Sequence, residues 1–503
     1  MSTDGSMHRW LLAPCLCWAA CGGQSDGGPD GPTPDAETPA ARCDRPALYD
    51  VSSPTAVVGD GTPASCTAAA LQQAAQSGGT IVFRCGSAPV TITVASQITF
   101  TKETVLDGGG LVTLSGGQTS RILYLDSGYD TPTPRLVVQR LTFRDGKSPA
   151  VGADTAQGGA AIYRDGGSLT VLDSVFENNR APATGQDVAG GAIYGFGGGD
   201  TIVAGSTFTN NAASDGGAIG SLNGDLTIIN SSFIDNAATG TGGNPGDGGC
   251  GGAIYMDGGG EATSLCGVTI RHNSAGAIGG GVFRVSNDSS GSLAMDRSTV
   301  DDNRVTATGS GNAGGLYLQG LALTITASTI SRNQAFYNGG IWINACRVQM
   351  TNVTIAENVA TGSNGGGVWL GNAPTGTMRN CTIANNRATA ANQIAGAIFG
   401  DGLTLVNTII AGNTAMYTPT CNVARPAGSG NSGNLQWPGG SLCTTAPLIA
   451  DPMLGALAPS GGDPQTLLPA AATPARGIAR DCPPTDQLGK PRPEPCTAGA
   501  VEP

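Results

Sequence analysis

Gly190-Gly191-Ala192-Ile193-Tyr194, closed further on by Phe208-Thr209-Asn210-Asn211, is one copy of a phrase that recurs along most of this 503-residue chain. The closing Asn returns at Asn179, Asn211, Asn236, Asn273, Asn303, Asn333, Asn358, Asn386 and Asn413, with gaps of 32, 25, 37, 30, 30, 25, 28 and 27 residues. A floor of 25 with variable insertions marks a solenoid, in which each copy is one supersecondary unit that buries its apolar face against its neighbours.

Aligned on the closing Asn, two apolar columns appear. Three residues before it stand Phe176, Phe208, Phe233, Ile270, Val300, Ile330, Ile355, Ile383 and Ile410. Eight residues before it stand Val171, Val203, Ile228, Leu265, Met295, Ile325, Met350, Met378 and Leu405. Strand side chains alternate faces, so columns five apart cannot both point inward along one straight strand. The chain must turn between them, where small or turn-forming pairs such as Gly205-Ser206 and Asn230-Ser231 stand. With the Gly-opening strand, each copy is one coil of an all-β parallel β-helix, about twelve coils in all. The 80 glycines and the Thr, Ser and β-branched strands argue against a helical solenoid. The Asn column reads as a structural ladder, each side chain bonding along the stack and taking a left-handed corner conformation. The Thr column at Thr207, Thr269, Thr299, Thr329, Thr354 and Thr382 reads as outward strand filler.

Residues 43–150 read as an N-terminal cap and first irregular coils, 151–415 as the repeated coils, and 416–503 as an irregular Cys/Pro-rich C-terminal cap. Thr67 to Ala75 spells a short helix ended by Gly78-Gly79, placed to cover the open first coil. At the N-terminus, the apolar run Leu11 to Ala20 is too short to span a membrane. Residues 22–41 carry four acids, no bases and almost no hydrophobes, the composition of a flexible tether.

These residues carry three resemblances. The paired Gly-Gly-Ala-Ile and Phe-x-x-Asn phrases of residues 150–415 resemble the polymorphic outer-membrane protein repeat, which implies a right-handed β-helix of the pectin-lyase-like superfold. Asp451-Pro452-Met453-Leu454-Gly455, Leu467-Leu468-Pro469, Cys482 to Gly489 and Gly499-Ala500-Val501-Glu502 resemble the choice-of-anchor Q C-terminal region, which implies surface display. Trp18-Ala19-Ala20-Cys21-Gly22-Gly23 resembles the bacterial lipoprotein signal. That resemblance implies removal of residues 1–20 and a lipid on Cys21 ahead of the tether at 21–42. Gly22 in place of Asp implies the outer membrane or cell surface.

Charge and cysteine content narrow the function. A net charge of −12 with only three Lys argues against a nucleic-acid partner, which needs a basic footprint. Beyond Cys15, Cys17 and Cys21, eleven cysteines remain, and sequence neighbours suggest the pairs Cys66–Cys85, Cys250–Cys266, Cys421–Cys443 and Cys482–Cys496. No Cys or His cluster has metal-site spacing. The signatures of pectin-degrading hydrolases are absent, and His272 is the one histidine beyond the signal. A stripe just before the closing Asn (Asp235, His272, Asp302, Arg332, Glu357), with Arg271 and Asp301 beside it, reads first as solvated ladder pairs. It keeps an enzyme alternative open, a lyase or hydrolase acting on polysaccharide through Asp301, Asp302, Arg332 and His272. A cofactor is expected only under that alternative, where calcium would serve a lyase. Insertions at 180–189, 237–250, 304–313 and 387–395 emerge in phase along one edge and offer a surface for specificity, although few aromatics anchor them. The first expectation is a lipid-anchored, non-catalytic, adhesin-like scaffold with the membrane and a polysaccharide or surface protein as partners. A passive envelope component is the third.

Overall fold

In the computed structural model, residues 43–417, 421–422, 433–460 and 464–503 are described. Residues 1–42, on which the expected signal, the lipidated Cys21 and the expected tether at 21–42 fall, lie outside them. The chain winds as a right-handed parallel β-helix. One coil shows the unit. Ile193–Phe196 forms a first strand, Thr201–Ala204 a second, and Thr207–Thr209 a third. Ala212–Ala213 then pairs briefly before the next coil opens at Ile219. The first strands stack into a twelve-stranded sheet, called here the ring sheet. The second and third strands together form a 25-stranded bent sheet, and the two-residue strands an eight-stranded one. The register is strict: Ile193 pairs with Ile219, Val203 with Ile228, and Phe208 with Phe233.

Both apolar columns face the interior, and every member is at most 2% exposed. Phe143, Phe176, Phe208 and Phe233 stack face to face at 4.9, 4.6 and 4.7 Å. Such stacked pairs add about 0.5–1.5 kcal/mol each beyond their buried area. The corner between the two columns carries a ladder of its own. Ser174 N donates to Ser206 Oγ, and Ser206 N to Ser231 Oγ, each at 3.1 Å. The helix Ala68–Ser77 packs Leu71, Ala74 and Ala75 into the first coil, and its Thr67 cap accepts from Ala70 N at 3.2 Å.

The Asn column lies inside. Asn303 Nδ2 donates to Asn333 Oδ1 at 2.9 Å and to Ile270 O at 3.0 Å, while Asn333 Oδ1 also accepts from Asn303 N. This arrangement repeats from Asn179 to Asn413. The left-handed bend expected of these asparagines belongs instead to the residue before each. Asn178, Asn210, Asp235, His272, Asp302, Arg332, Glu357 and Asn385 all have φ between 52° and 60°. That bend swings the following Asn inward, where its amide replaces the backbone partners that the corner breaks.

The Thr column departs from the outward reading. Thr207 and Thr269 are half-buried, but Thr299, Thr329, Thr354 and Thr382 are buried. The C-terminal region covers three of these. Strands Leu435–Trp437 and Leu448–Ile449 extend the bent sheet, and the antiparallel pair Leu454–Ala458 and Thr466–Pro469 then reverses the chain. The last stretch of chain straps back over the outer face of earlier coils. Thr329 Oγ1 donates to Gln465 O, Thr354 Oγ1 donates to Gln487 Oε1, and Ala500 N donates to Thr382 Oγ1. Asn352, Arg379, Asn380 and Asn407 bond the same strap.

Three neighbour pairs are joined, Cys66–Cys85, Cys421–Cys443 and Cys482–Cys496. The pair Cys250–Cys266 is not: Cys266 bonds Cys43 across 223 residues, and Cys250 is a buried thiol. The reason is spatial. Cys266 ends a strand at the outer corner, where the segment from Cys43 runs along the coils. Asn230 clasps Cys43 through its backbone, Arg45 pairs with Asp173, and Tyr49 N reaches Gln139. Cys250 instead lies beneath the ring-side loops. No helix among the described residues is long and apolar enough to cross a membrane.

Candidate functional site

On the ring sheet, the first and third residues of each strand point inward and the second and fourth outward. The second position carries Tyr124, Tyr163, Tyr194, Gly220, Tyr255, Phe283, Tyr317, Trp342, Trp369 and Phe399, in register from coil to coil. The result is an outward ridge of aromatic rings. Tyr255, Phe283, Tyr317, Trp342 and Trp369 are stacked at 5.2, 5.2, 6.2 and 4.7 Å, and Phe399 comes next at 4.4 Å. Because the faces engage one another, the ridge presents ring edges outward.

The two halves of this ridge differ because the insertion loops differ. In the first half, residues 180–189 and 239–250 fold over it and bury Tyr194 and Tyr255 completely. The Tyr255 hydroxyl holds both loops: it lies 2.8 Å from Asp187 Oδ1, accepts from Asn244 Nδ2 at 2.8 Å, and approaches Asp257 Oδ2 at 3.3 Å. Gly220 leaves the room that Ala189 occupies, since a Cβ there would lie 2.5 Å from the Ala189 Cβ. Asp215, bonded to Cys250 N at 2.8 Å, is pushed up to about 7 by burial. Burial also raises Asp187, with Asp257 adding repulsion, and raises the Tyr194 and Tyr255 hydroxyls well above their ordinary value. The Tyr194 hydroxyl has no partner among the described residues.

In the second half the ridge is open. Tyr317, Trp342, Trp369 and Phe399 are half-buried. Beside them, at the fourth position and the turn after it, runs a row of amides. Gln319 Oε1 accepts from Tyr317 and, at 2.8 Å, from Asn344; Asn344 Oδ1 accepts from Asn372 at 2.7 Å. The Gln319 amide nitrogen and the Asn372 carbonyl oxygen keep hydrogen-bonding capacity for a ligand. Apolar edges beside free amides can bind a chain that alternates C–H patches with hydroxyls.

The residues singled out for catalysis are divided. Asp301 is buried and receives Arg271 Nε at 3.0 Å, Arg332 Nη2 at 2.7 Å and Ser331 Oγ at 2.7 Å. Arg332 also bonds Gln465 of the strap at 2.8 Å, so this cluster fastens the C-terminal region to the coils. Asp302, next in sequence, points to solvent, and His272 lies 3.4 Å from it and 3.9 Å from Asp235. Exposed pairs of this kind contribute roughly 0–1 kcal/mol. Asp301 with Arg332 and Asp302 with His272 thus form two separate pairings. Among the described residues, three groups of metal-ligating type converge only at Cys43, Cys266 and Asp296, where the two sulfurs are bonded to each other. The ridge escapes a reading aligned on the closing Asn because the distance from that Asn to the next ring varies, as the nine residues from Asn211 to Gly220 and the 19 from Asn236 to Tyr255 show. The signal that finds it is the aliphatic residue directly before each ring, as at Ile162, Ile193, Ile254, Leu316, Ile341 and Val368.

No protein-family model and no curated protein matches the sequence. Among solved structures the chain is similar to PfbA, a surface adhesin of Streptococcus pneumoniae, at 10% identity and a TM-score of 0.34, over 74% of this chain and 92% of that one. It is similar to the A-module of the Azotobacter vinelandii mannuronan C-5 epimerase AlgE4 at 16% identity and a TM-score of 0.32, over 73% and 100%. The Dettilon tailspike protein is similar at 12% identity and a TM-score of 0.34, over 76% and 68%.

Proposed function

We propose that this protein is an exported binding scaffold whose open aromatic ridge holds an extended polysaccharide without cleaving it. The observation that carries this reading is the ridge from Tyr317 to Phe399, rigid, half-exposed and bordered by amides with spare bonding capacity. A preformed surface of stacked rings loses little side-chain entropy on binding. Four disulfides support export, since such bonds persist in oxidising compartments. Attachment to the outer membrane by a lipid on Cys21 belongs to the same proposal, and incorporation of labelled fatty acid into the native protein but not into Cys21→Ser tests it.

The test of function is retention on a panel of insoluble and immobilised polysaccharides, with the soluble fraction assayed for new reducing ends and unsaturated products. Retention without products, lost in Trp342→Ala and Trp369→Ala, supports the scaffold. One observation favours polysaccharide cleavage as a second reading: Asp187, with its raised pKa, and Asp257 meet at the Tyr255 hydroxyl. Products that disappear in Asp187→Asn would establish it.

A further inference from the structure

The charges around the ridge distinguish among polysaccharides. In the first half its border is acidic: Asp126 and Asp165 stand at the fourth strand position, and Asp187 and Asp257 meet over Tyr255. The arginines of that half do not offset them. Arg121 is tucked over the Tyr163 ring at 4.5 Å and donates to Ala156 O and Gly158 O. Arg164 lies wholly inside the coil, bonded to Gly167 O. In the second half the border carries no net charge among the described residues. Between residues 303 and 402 the charged residues are Arg304, Arg332, Arg347, Glu357, Arg379, Arg387 and Asp401. Arg304 and Arg387 open strands of the eight-stranded sheet, Arg347 and Arg379 stand on the bent sheet, and Arg332 and Glu357 precede ladder asparagines. Arg347, exposed, comes three residues after the ring-sheet strand ending at Asn344, and Asp401 two residues after Phe399, so the charges nearest this border are one of each sign.

The repeat of the ridge sets a second condition. Successive coils rise by about 4.8 Å, the spacing of hydrogen-bonded strands. That rise is close to the length of one sugar unit in an extended glycan, so a chain lying along the ridge meets an equivalent ring edge at each unit.

We infer that the ligand is an electrically neutral glycan, bound along the coil axis at one sugar unit per coil over Tyr317, Trp342, Trp369 and Phe399. The inference rests on the polysaccharide reading and specifies its ligand class. A polyuronate or sulfated glycan would meet carboxylates in one half and no net counter-charge in the other, where Arg347 and Asp401 offset each other, and like charges brought together at an interface cost affinity. Neutral hydroxyls instead match the amide row, and the ring edges accept C–H patches with no desolvated charge. Calcium has no part in this contact.

The experiment compares the purified native protein against three soluble polymers in affinity gels at low salt: a neutral glucan, a polyuronate and a polyamine such as chitosan. Neutral oligosaccharides of increasing length are titrated alongside. The expected result is retardation by the neutral polymer at least about ten-fold stronger than by the polyuronate, equal with calcium or chelator. Affinity should rise with each sugar unit up to about one per open ring and then level off. Asn344→Lys, a change in the half-buried amide row that leaves the ring stack alone, should bring polyuronate binding up by about ten-fold. Preferential retardation by the polyuronate, or by the polyamine alone, overturns neutrality while leaving a polysaccharide-binding ridge. Affinity that ignores oligosaccharide length overturns the one-unit-per-coil register. Failure of all three polymers to bind overturns this inference and the polysaccharide reading together.

Discussion

The Asn column and the aromatic column both recur coil after coil, yet they do opposite work. Each ladder Asn spends its amide on its neighbours and on a carbonyl of the coil before, and lies buried at 0–2% exposure. Nothing remains for a ligand. The rings satisfy one another only through their faces, and their edges and bordering amides stay available where no loop covers them. In a solenoid, then, identity at a repeated position signals self-satisfaction, whereas a chemical type kept only loosely along a face signals a surface for something else.

The comparison breaks first at the ladder. Asn303→Ala removes the side-chain partner of Asn273 N and of Ile270 O and takes one of three acceptors from Asn273 Nδ2, which keeps Phe233 O and Arg271 O. A loss of about 3–5 kcal/mol is expected, read as a lowered urea midpoint. Trp342→Ala should cost far less stability, about 1–2 kcal/mol for a half-buried ring, while removing most polymer retention. If the two variants destabilise equally, the division of labour fails.

The covered half of the ridge offers a pH test. Asp215 is an acid whose folded value is raised to about 7 against an ordinary 3.8. Between those limits the folded state binds more protons than the unfolded state, so stability falls as pH rises and levels off above about 7. Asp215→Asn should therefore raise the Tm at pH 8, by roughly 2–3 kcal/mol in stability, and leave it nearly unchanged near pH 4. Melting curves at both pH values decide it; an equal gain at each would remove the buried carboxyl from the account. The smallest effect belongs to the exposed stripe. Asp302→Asn should shift stability by less than about 0.5 kcal/mol and leave retention unchanged.

Much of the fold was readable because the solenoid imposes local rules. The period, both apolar columns, the corner pairs and the Asn ladder all arise from residues within one copy. The failures share a cause. Thr329 and Thr354 are buried, although their spacing reads as outward, because Gln465 and Gln487 return from more than a hundred residues away. Cys266 bonds Cys43 rather than Cys250 because coil stacking, not sequence distance, decides which cysteines share a corner. Arg164 occupies an inward position that hydrophobic patterning assigns to an aliphatic residue, and Gly195 above it supplies the space, with a Cβ there falling 2.7 Å from Nη2. The candidate site was hidden differently. Its rings are in phase with the strand that opens each coil, while the most regular signal in the sequence is the Asn that closes it.

The Cys43–Cys266 bond also fixes how the molecule would carry tension. A pull on the chain ahead of Cys43 passes through the disulfide into the coil that holds Cys266 and is shunted past everything between them. The helix Ala68–Ser77 and the first irregular coils, which would otherwise peel away one by one, sit inside a covalently closed loop that cannot lengthen. The load enters at a mid-stack rung, hydrogen-bonded to a parallel strand on either side. Reduction of that one bond would leave the noncovalent contacts of Cys43, Arg45 and Tyr49 with Asn230, Asp173 and Gln139 to bear the load, and behind them the first strand, Ala56–Val58.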